Sequence, residues 1–191
     1  MYRLVLAALP LAGCYTFPEL SLVDEIPIVG EDSCAPPLEV DAGCMIDGDT
    51  FDLGGCGTDS ERVRMLGINA PELAHGGDPV ECWGPEAADE LRRLIGDRRV
   101  TLTFDQECQG VFGRTLAYVW LAPEDVDLAD DEVADAEGAV LVNELLLSRG
   151  FVRLYDEEWV GDLRLQDRLD EAQAQAQARG LGLWSACENT R

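Results

Sequence analysis

Four charged residues have the side-chain types that chemistry at a phosphodiester requires. Arg64 and Arg114 offer planar guanidinium groups, which bind phosphate oxygens through paired hydrogen bonds. Asp49 offers a carboxylate for a hard cation, and such a cation can polarise a phosphate and orient a water molecule. Glu72 offers a carboxylate that can take a proton from that water, an effect worth roughly 10² to 10⁴ in rate. Together these residues can supply the three functions that phosphodiester cleavage needs.

One asparagine lies where a carboxylate would serve better. The stretch MLGINAPE, residues 65–72, places Asn69 three residues before Glu72. An amide keeps an oxygen ligand of similar reach but carries one negative charge fewer, and Ca²⁺ accepts such oxygens. Two interpretations follow. The first is a metal-assisted site with one weakened ligand, and the second is the remnant of such a site in a protein that only binds.

The composition predicts a single acidic domain with extensions. The chain has 191 residues, 47% of them apolar, which is enough for one sizeable core. Acids outnumber bases 38 to 14, the formal charge is −24, and every base is Arg. A protein of this charge repels a polyanion, so any contact with nucleic acid must be local. Screening over about 8 Å at physiological salt mutes the distant acids.

The N-terminal residues are typical of an export signal. Residues 1–14, MYRLVLAALPLAGC, contain one cation, a short apolar run and small residues before Cys14. The ending Leu-Ala-Gly-Cys resembles the lipobox of bacterial lipoproteins, which implies lipidation of Cys14 and a lipid anchor on the bacterial cell envelope. An ordinary signal peptide or a buried apolar segment is the alternative. Residues 15–41 contain four prolines and no sustained period, so we interpret them as a tether.

The other cysteines predict disulfides rather than a zinc site. Six cysteines remain apart from Cys14, an even number in an exported chain, and their connectivity is open. No C-x-x-C pair exists and His75 is the only histidine, which argues against zinc. For the same reason we expect His75 to be a surface residue and not a catalytic one.

Local patterns predict about five strands. Residues 45–53 place apolar residues on both sides of an Asp-Gly-Asp turn, which indicates a hairpin. Three further segments alternate or are rich in aliphatic and aromatic residues: 62–66, 99–105 and 115–121.

Three helices are predicted as well. They cover residues 85–95, 142–150 and 162–180, the first with Pro85 in its first turn and the last two closed by glycine. An insertion at 122–139 carries eight acids and no base. It lacks the glycine and terminal glutamate of a Ca²⁺-binding EF-hand loop, so a solvated acidic segment is the favoured interpretation.

The order of several motifs identifies a family resemblance. The motifs are DGDT from Asp47, Arg64, the Pro-Glu pair ending at Glu72, GPEA from Gly84, GRTLAYVW from Gly113, VNE from Val142 and the late GLGLWS. Between Met45 and Ser185 they resemble the staphylococcal nuclease (thermonuclease) family. The resemblance implies an α+β fold, a five-stranded OB-type β-barrel with three helices. It also implies a Ca²⁺-dependent phosphodiesterase that acts on DNA and RNA.

The resemblance also implies roles for individual residues. Three positions match its metal site: Asp49, Asn69 and Ala70, the last through its backbone carbonyl. Glu72 matches the general base, and Arg64 and Arg114 match the two arginines that hold the phosphate. Since Asn69 replaces a carboxylate, we expect weaker affinity for Ca²⁺ rather than lost activity.

Other positions depart from the family or remain open. The family has lysines and tyrosines around its site, whereas Val111 and Phe112 precede Gly113 here. Tyr155 can stack on a base or serve as an interfacial core residue. Cys82 and Cys108 flank the first helix and the strand after it, and we expect them to pair with each other.

Two functional hypotheses follow for the domain at 42–187. The first is an exported, lipid-anchored, Ca²⁺-dependent nuclease that acts as a monomer on DNA, RNA or both. The second is a catalytically weak or inactive OB-fold binding module on the cell envelope. Asn69 and the missing lysines favour the second, and the joint presence of Asp49, Arg64, Glu72 and Arg114 favours the first.

Overall fold

The computed structural model describes most of the chain beyond its first 32 residues. The described ranges are 33–57, 60–74, 79–129, 138–155 and 163–188. The predicted signal peptide with Cys14, the tether as far as residue 32, the single histidine His75 and residues 130–137 of the acidic insertion lie outside them.

Eight strands and four helices make up the described fold. The strands are β1 (Leu38–Met45), β2 (Thr50–Leu53), β3 (Arg62–Met65), β4 (Ile68–Asn69), β5 (Arg99–Thr103), β6 (Thr115–Leu121), β7 (Val140–Leu141) and β8 (Arg153–Leu154). The helices are α1 (Gly84–Ile95), α2 (Val142–Ser148), α3 (Gln166–Arg179) and α4 (Leu183–Ala186). The three predicted helices are confirmed as α1, α2 and α3, and the single turn α4 follows them.

Five strands close into a barrel. Strands β3, β2, β1, β5 and β6 are neighbours in that order and pair antiparallel. The ends of this sheet meet because β6 also pairs in parallel with β3, Val63 lying opposite Thr115. The predicted α+β fold with a five-stranded OB-type barrel is therefore confirmed. The predicted hairpin is confirmed too, since β1 and β2 are joined at the Asp-Gly-Asp turn.

The inward faces of these strands and one face of α1 form a continuous core. Phe51, Val63 and Leu102 on the strands are fully buried, and so are Leu91 and Ile95 on the helix. Burial of each such side chain contributes roughly 1.5 to 3 kcal/mol. The apolar spacing on α1 therefore fixes this helix against the barrel, and its N-terminus meets the loop that carries Glu72.

Helix α3 packs against α2. Leu169, Ala172 and Ala176 of α3 are buried at helical spacing, as the sequence predicts, and the helix ends at Gly180 with a left-handed φ of 63°. In α2 the buried Asn143 accepts a hydrogen bond from the Val119 backbone and donates one to the Leu66 carbonyl. The side chain of Asn143 thus joins the barrel to the turn that follows β3.

Six cysteines form three disulfides, but the predicted pair Cys82–Cys108 is wrong. The observed pairs are Cys34–Cys108, Cys44–Cys56 and Cys82–Cys187. Cys108 lies in the loop after β5 beside the entering chain, where the Cys34 backbone N–H donates to the Asp105 carbonyl. Two of the bonds join segments 74 and 105 residues apart. Proximity along the chain was therefore a poor guide to the pairing.

The described domain begins before the predicted boundary at residue 42. Strand β1 begins at Leu38, which lies opposite Leu102 of β5, and Cys34 is bonded to Cys108. Residues 38–41, predicted as part of the tether, therefore belong to the barrel. Among the described residues, none of the helices combines the length and apolar character that a transmembrane span needs.

Candidate active site

A cleft of about 310 Å³ opens between the turn after β3 and the loop between β5 and β6. Five predicted site residues line it: Arg64, Asn69, Glu72, Arg114 and Tyr155. They come from three separate parts of the chain: residues 64–72, Arg114 and Tyr155. The closed barrel brings Arg64 and Arg114 together because Arg64 lies in β3, Arg114 directly precedes β6, and these two strands are parallel neighbours.

Asp49 lies buried behind this cleft at the start of β2. Its turn packs tightly on α1, since a Cβ atom on Gly48 would meet the Ala87 Cβ at 2.6 Å. The Asp49 carboxylate accepts hydrogen bonds from the Thr50 hydroxyl at 2.8 Å and the Ala70 backbone N–H at 2.6 Å. The predicted metal positions Asp49 and Ala70 are thus neighbours, linked through a backbone N–H.

Arg64 connects Asp49 to the cleft. Its Nη1 lies 3.1 Å from the Asp49 carboxylate and donates to the carbonyls of Met65 and Ile68 at 3.0 and 2.7 Å. Its Nη2 donates to the Asn69 side-chain oxygen at 3.1 Å. These contacts fix the orientation of the Arg64 guanidinium at the cleft wall.

Burial makes the Asp49 charge costly. Desolvation is the largest influence and raises the pKa of Asp49 to about 7, while the attraction of Arg64 lowers it and the charge of Asp47 raises it. A single arginine therefore leaves the buried carboxylate incompletely compensated. Additional positive charge at this position would stabilise the ionised form.

The donor set has the chemistry of a hard-cation site. The carboxylate of Asp49 and the amide oxygen of Asn69 both lie 3.1 Å from the Arg64 guanidinium, so the two oxygens face the same positive group. All candidate ligands are oxygens, which Ca²⁺ and Mg²⁺ prefer. Among the described residues, no three His, Cys, Asp or Glu side chains cluster around a metal position. Solvent or substrate oxygens must therefore complete the coordination of any ion held here.

The loop that carries Glu72 is closed by Glu81. The Glu72 backbone N–H donates to the Glu81 carboxylate at 3.1 Å, and the Glu81 backbone N–H donates to the Glu72 carbonyl at 2.9 Å. The next residue, Cys82, is bonded to Cys187 near the C-terminus. Sequence patterns missed Glu81, because nothing in the spacing reveals a contact across this loop. The exposed Glu72 side chain is thus mounted on a fastened loop at the cleft.

Arg114 has unused hydrogen-bonding capacity at the opposite wall. Its Nε is buried without a hydrogen-bond partner, and its guanidinium lies 5.6 Å from the centre of the Phe112 ring. A buried donor without a partner is costly, and a phosphate oxygen would satisfy it. Arg114 is therefore the cleft cation with most to gain from an anionic ligand.

Tyr155 and two acidic residues also line the cleft. Tyr155 is half-buried, and its ring centre lies 5.5 Å from the Arg64 guanidinium. Asp105 and Glu107 also line the cleft. Asp105 is buried and accepts a hydrogen bond from the Tyr118 hydroxyl at 2.8 Å. Arg64 and Arg114 are therefore the two cationic side chains among the residues that line the cleft.

The sequence matches one family over most of the described domain. The signature described as Staphylococcal nuclease homologue matches residues 62–186. A similar protein, the Thermonuclease of Staphylococcus hyicus, is 32% identical over 141 residues, which are 74% of this chain and 72% of that protein.

Two more relatives cover smaller shares. The Thermonuclease of Staphylococcus intermedius is 40% identical over 95 residues, 49% of this chain and 56% of that protein. A probable endonuclease of Uncinocarpus reesii is 28% identical over 138 residues, 68% of this chain and 40% of that protein. With the closed barrel and the cleft arginines, these matches show that the chain belongs to the staphylococcal nuclease homologue family.

Proposed function

We propose that this chain is an exported, Ca²⁺-dependent nuclease that hydrolyses phosphodiester bonds of DNA, RNA or both, and that it acts as a monomer. Nuclease activity follows from its family and from relatives described as nucleases. The choice of Ca²⁺ and the export are the new parts of the proposal. One observation carries the proposal: Arg64, Glu72 and Arg114 line a single cleft, and Arg64 forms an ion pair with the buried Asp49.

Each cleft residue has a distinct task in this proposal. Arg114 donates its free N–H groups to a non-bridging phosphate oxygen, and Arg64 offers the guanidinium edge that faces the cleft. Glu72 accepts a proton of the attacking water as the water oxygen bonds to phosphorus; the P–O ester bond breaks, and the leaving alkoxide takes a proton from solvent. Asp49, Asn69 and the Ala70 carbonyl hold the cation, which when bound supplies Lewis-acid polarisation of the phosphate.

Cleavage of single-stranded DNA with added Ca²⁺ or with chelator tests this proposal. We expect the native protein to cleave only with the ion. Glu72→Gln should lower the rate by roughly 10² to 10⁴, since it removes the proton acceptor and keeps the shape. Arg114→Ala should lower it by roughly 10², because one donor to the developing charge is lost.

The alternative is a binding module that does not cleave. Asn69 favours it, because the amide weakens the metal site. Equal rates for the native protein and both variants, with and without Ca²⁺, would establish the binding module and reject the nuclease.

Export and lipid attachment are proposed on separate grounds. The residues before Cys14 resemble a lipobox, and all six other cysteines pair in disulfides, which form in oxidising compartments. Expression in a bacterial host should yield a membrane-associated product whose N-terminal residue is lipid-modified Cys14. Recovery of an unmodified product of Cys14→Ser in the soluble fraction is the matching control.

A further inference from the structure

The Cys82–Cys187 bond lies at the end of the loop that carries the proposed proton acceptor. Glu81, directly before Cys82, exchanges two hydrogen bonds with Glu72. The Glu72 N–H donates to the Glu81 carboxylate at 3.1 Å, and the Glu81 N–H donates to the Glu72 carbonyl at 2.9 Å. Both glutamates are exposed, so water competes for these hydrogen bonds and their net contribution is modest. A covalent bond one residue away can hold what exposed hydrogen bonds hold weakly.

The far end of the bond is fixed to a different part of the fold. Cys187 directly follows α4, and its N–H donates to the Leu183 carbonyl at 3.1 Å. Leu183 is buried, and its N–H donates to the Gly150 carbonyl at 2.9 Å. The two backbones touch here, since a Cβ atom on Gly182 would overlap the Gly150 carbonyl oxygen. The bond therefore ties the loop that carries Glu72 to a packed joint between the end of α2 and the start of α4.

A strained backbone conformation lies between this bond and α1. Trp83, which follows Cys82 and precedes α1, has a left-handed φ of 75°, a conformation that bulky residues rarely adopt. Such a conformation persists only where the surrounding structure holds it. The bond at Cys82 restrains it on one side, and the Trp83 ring lies near Phe151, with 6.3 Å between the ring centres. Without the bond, relaxation at Trp83 would shift Glu81 and loosen its hydrogen bonds to Glu72.

The bond is accessible to exchange with a dithiol, because Cys82 is exposed. A thiolate of the dithiol attacks one sulfur of the bond and forms a mixed disulfide, which the second thiolate of the dithiol then resolves. The two protein sulfurs gain two electrons and two protons and become thiols, and the dithiol becomes a cyclic disulfide. Disulfides persist in oxidising compartments, whereas cytosolic cysteines are kept reduced.

We propose that the Cys82–Cys187 bond positions Glu72 through Glu81, so that the nuclease reaches its full rate only in an oxidising compartment. The proposal rests on the proposed role of Glu72 as proton acceptor. The two cleft arginines are held by other contacts, in β3 and in the loop before β6. Opening the bond should therefore slow proton transfer and spare substrate binding. Glu81 and the bond act through Glu72, as positioning elements.

Steady-state cleavage of single-stranded DNA with Ca²⁺ tests the proposal. We expect Cys82→Ser/Cys187→Ser to lower kcat about tenfold, since a small displacement of a catalytic group can cost up to about 10² in rate. KM should stay within about twofold of native, because the change affects the chemical step alone. Cys44→Ser/Cys56→Ser is the matched control and should keep the native kcat. That bond joins β1 to the segment after β2, and neither cysteine is among the residues that line the cleft.

Reduction gives the same comparison without mutation. A dithiol should lower the kcat of the native protein about tenfold and change that of Cys82→Ser/Cys187→Ser by less than about twofold. In a Glu72→Gln background, loss of the bond should leave the residual rate unchanged, because the group that it positions is already absent. A general loss of stability would instead lower the rate in both backgrounds and would contradict the proposal.

Hydrogen exchange measures the positioning contact apart from activity. Opening the bond should speed exchange of the Glu72 and Glu81 amides, both of which donate across the loop. Amides of β5 and β6 in the barrel should exchange at the native rate. This measurement requires no cleavage, so it tests the contact whether or not Glu72 is the proton acceptor.

The proposal fails on any of four results. A native kcat for Cys82→Ser/Cys187→Ser rejects it, and so does a raised KM with kcat unchanged. An equal fall in kcat for Cys44→Ser/Cys56→Ser would show a general loss of stability. Unchanged exchange of the two loop amides would mean that the bond does not position Glu72.

Failure of the proposed function gives a different pattern. It would appear as no cleavage by the native protein, or as a native rate for Glu72→Gln. Faster exchange of the two loop amides on reduction would then keep the positioning contact and reject only the role of Glu72.

Discussion

Two buried carboxylates in this protein have arginine partners, yet the fold lowers the pKa of one and raises the pKa of the other. Glu90 on α1 accepts two hydrogen bonds from Arg93 and one from Arg149 at 2.7 Å. Burial by itself would raise the pKa of Glu90, but the two arginines lower it overall. Asp49 has one arginine, Arg64, at 3.1 Å, and burial raises its pKa to about 7.

The difference separates a structural ion cluster from a candidate cation site. At Glu90 the protein itself supplies more positive than negative charge, so a further cation is not required. At Asp49 the buried charge is undercompensated, which favours an additional cation from solution. The two carboxylates therefore differ in how deeply they are buried and in how many arginines reach them.

For the comparison of these two carboxylates, the largest expected effect belongs to Asp49→Asn. The variant should lose roughly 10³ in cleavage rate with Ca²⁺, since it removes the carboxylate that we propose as a ligand for the ion. It should unfold reversibly and at a temperature similar to that of the native protein. Addition of Ca²⁺ should not raise its unfolding temperature. Cleavage assays and thermal unfolding with and without Ca²⁺ check both parts. A native-like Ca²⁺ shift would remove Asp49 from the metal site.

Glu90→Ala should lower the stability of the fold and leave the cleavage rate unchanged, the reverse of Asp49→Asn. Loss of the carboxylate removes the ion pair between Glu90 and the largely buried Arg149, which should lower the free energy of unfolding by about 2 kcal/mol. Arg93 is half exposed and adds little. Cleavage should stay at the native rate at temperatures where the variant is folded. Urea denaturation measures the stability, and a large fall in cleavage would contradict the separation of the two regions.

A smaller effect is expected when Asn69→Asp restores a carboxylate beside Asp49. The added charge should lower the Ca²⁺ concentration for half-maximal cleavage by about tenfold, since each charged ligand strengthens an oxygen site. A calcium titration of the cleavage rate gives the result. An unchanged or higher requirement would exclude Asn69 as a ligand.

The smallest effects are the pH dependences of stability, and they have opposite signs. The pKa of Glu90 is lowered on folding, so its contribution is present above the ordinary pKa and is lost as pH falls through the folded value. The pKa of Asp49 is raised, so its ionisation destabilises the metal-free fold as pH rises from about 4 to about 7.

Urea titrations in chelator, from well below the ordinary pKa of Glu90 up to a pH of about 7, separate the two groups. Glu90→Gln should flatten the loss of stability at acidic pH, and Asp49→Asn should flatten the decline toward neutral pH. The same slope in both variants would mean that the two carboxylates do not differ in the way described.

Local sequence predicted the elements better than the contacts between them. The Asp-Gly-Asp hairpin and the spacing of Leu169, Ala172 and Ala176 were correct because turn chemistry and helical period act over a few residues. The cysteine pair failed because connectivity depends on how distant segments meet.

The site was predictable only as a set of residues. Motif order selected Arg64, Glu72 and Arg114, which the barrel brings to one cleft. The ion pair of Arg64 with Asp49 and the two hydrogen bonds between Glu72 and Glu81 arise from backbone geometry that no pattern encodes. Only part of the Glu90 cluster can be predicted from local sequence. Arg93 follows Glu90 at helical spacing, but Arg149 lies 59 residues away.

The bond between Cys82 and Cys187 spans 105 residues and has a consequence for survival among proteases. A single backbone cut between these two cysteines, including one within the acidic insertion, leaves both fragments covalently joined. A nicked molecule should migrate as one species on a gel without reductant and as two with it. The protein would thereby keep both walls of its cleft on one molecule after the first cut.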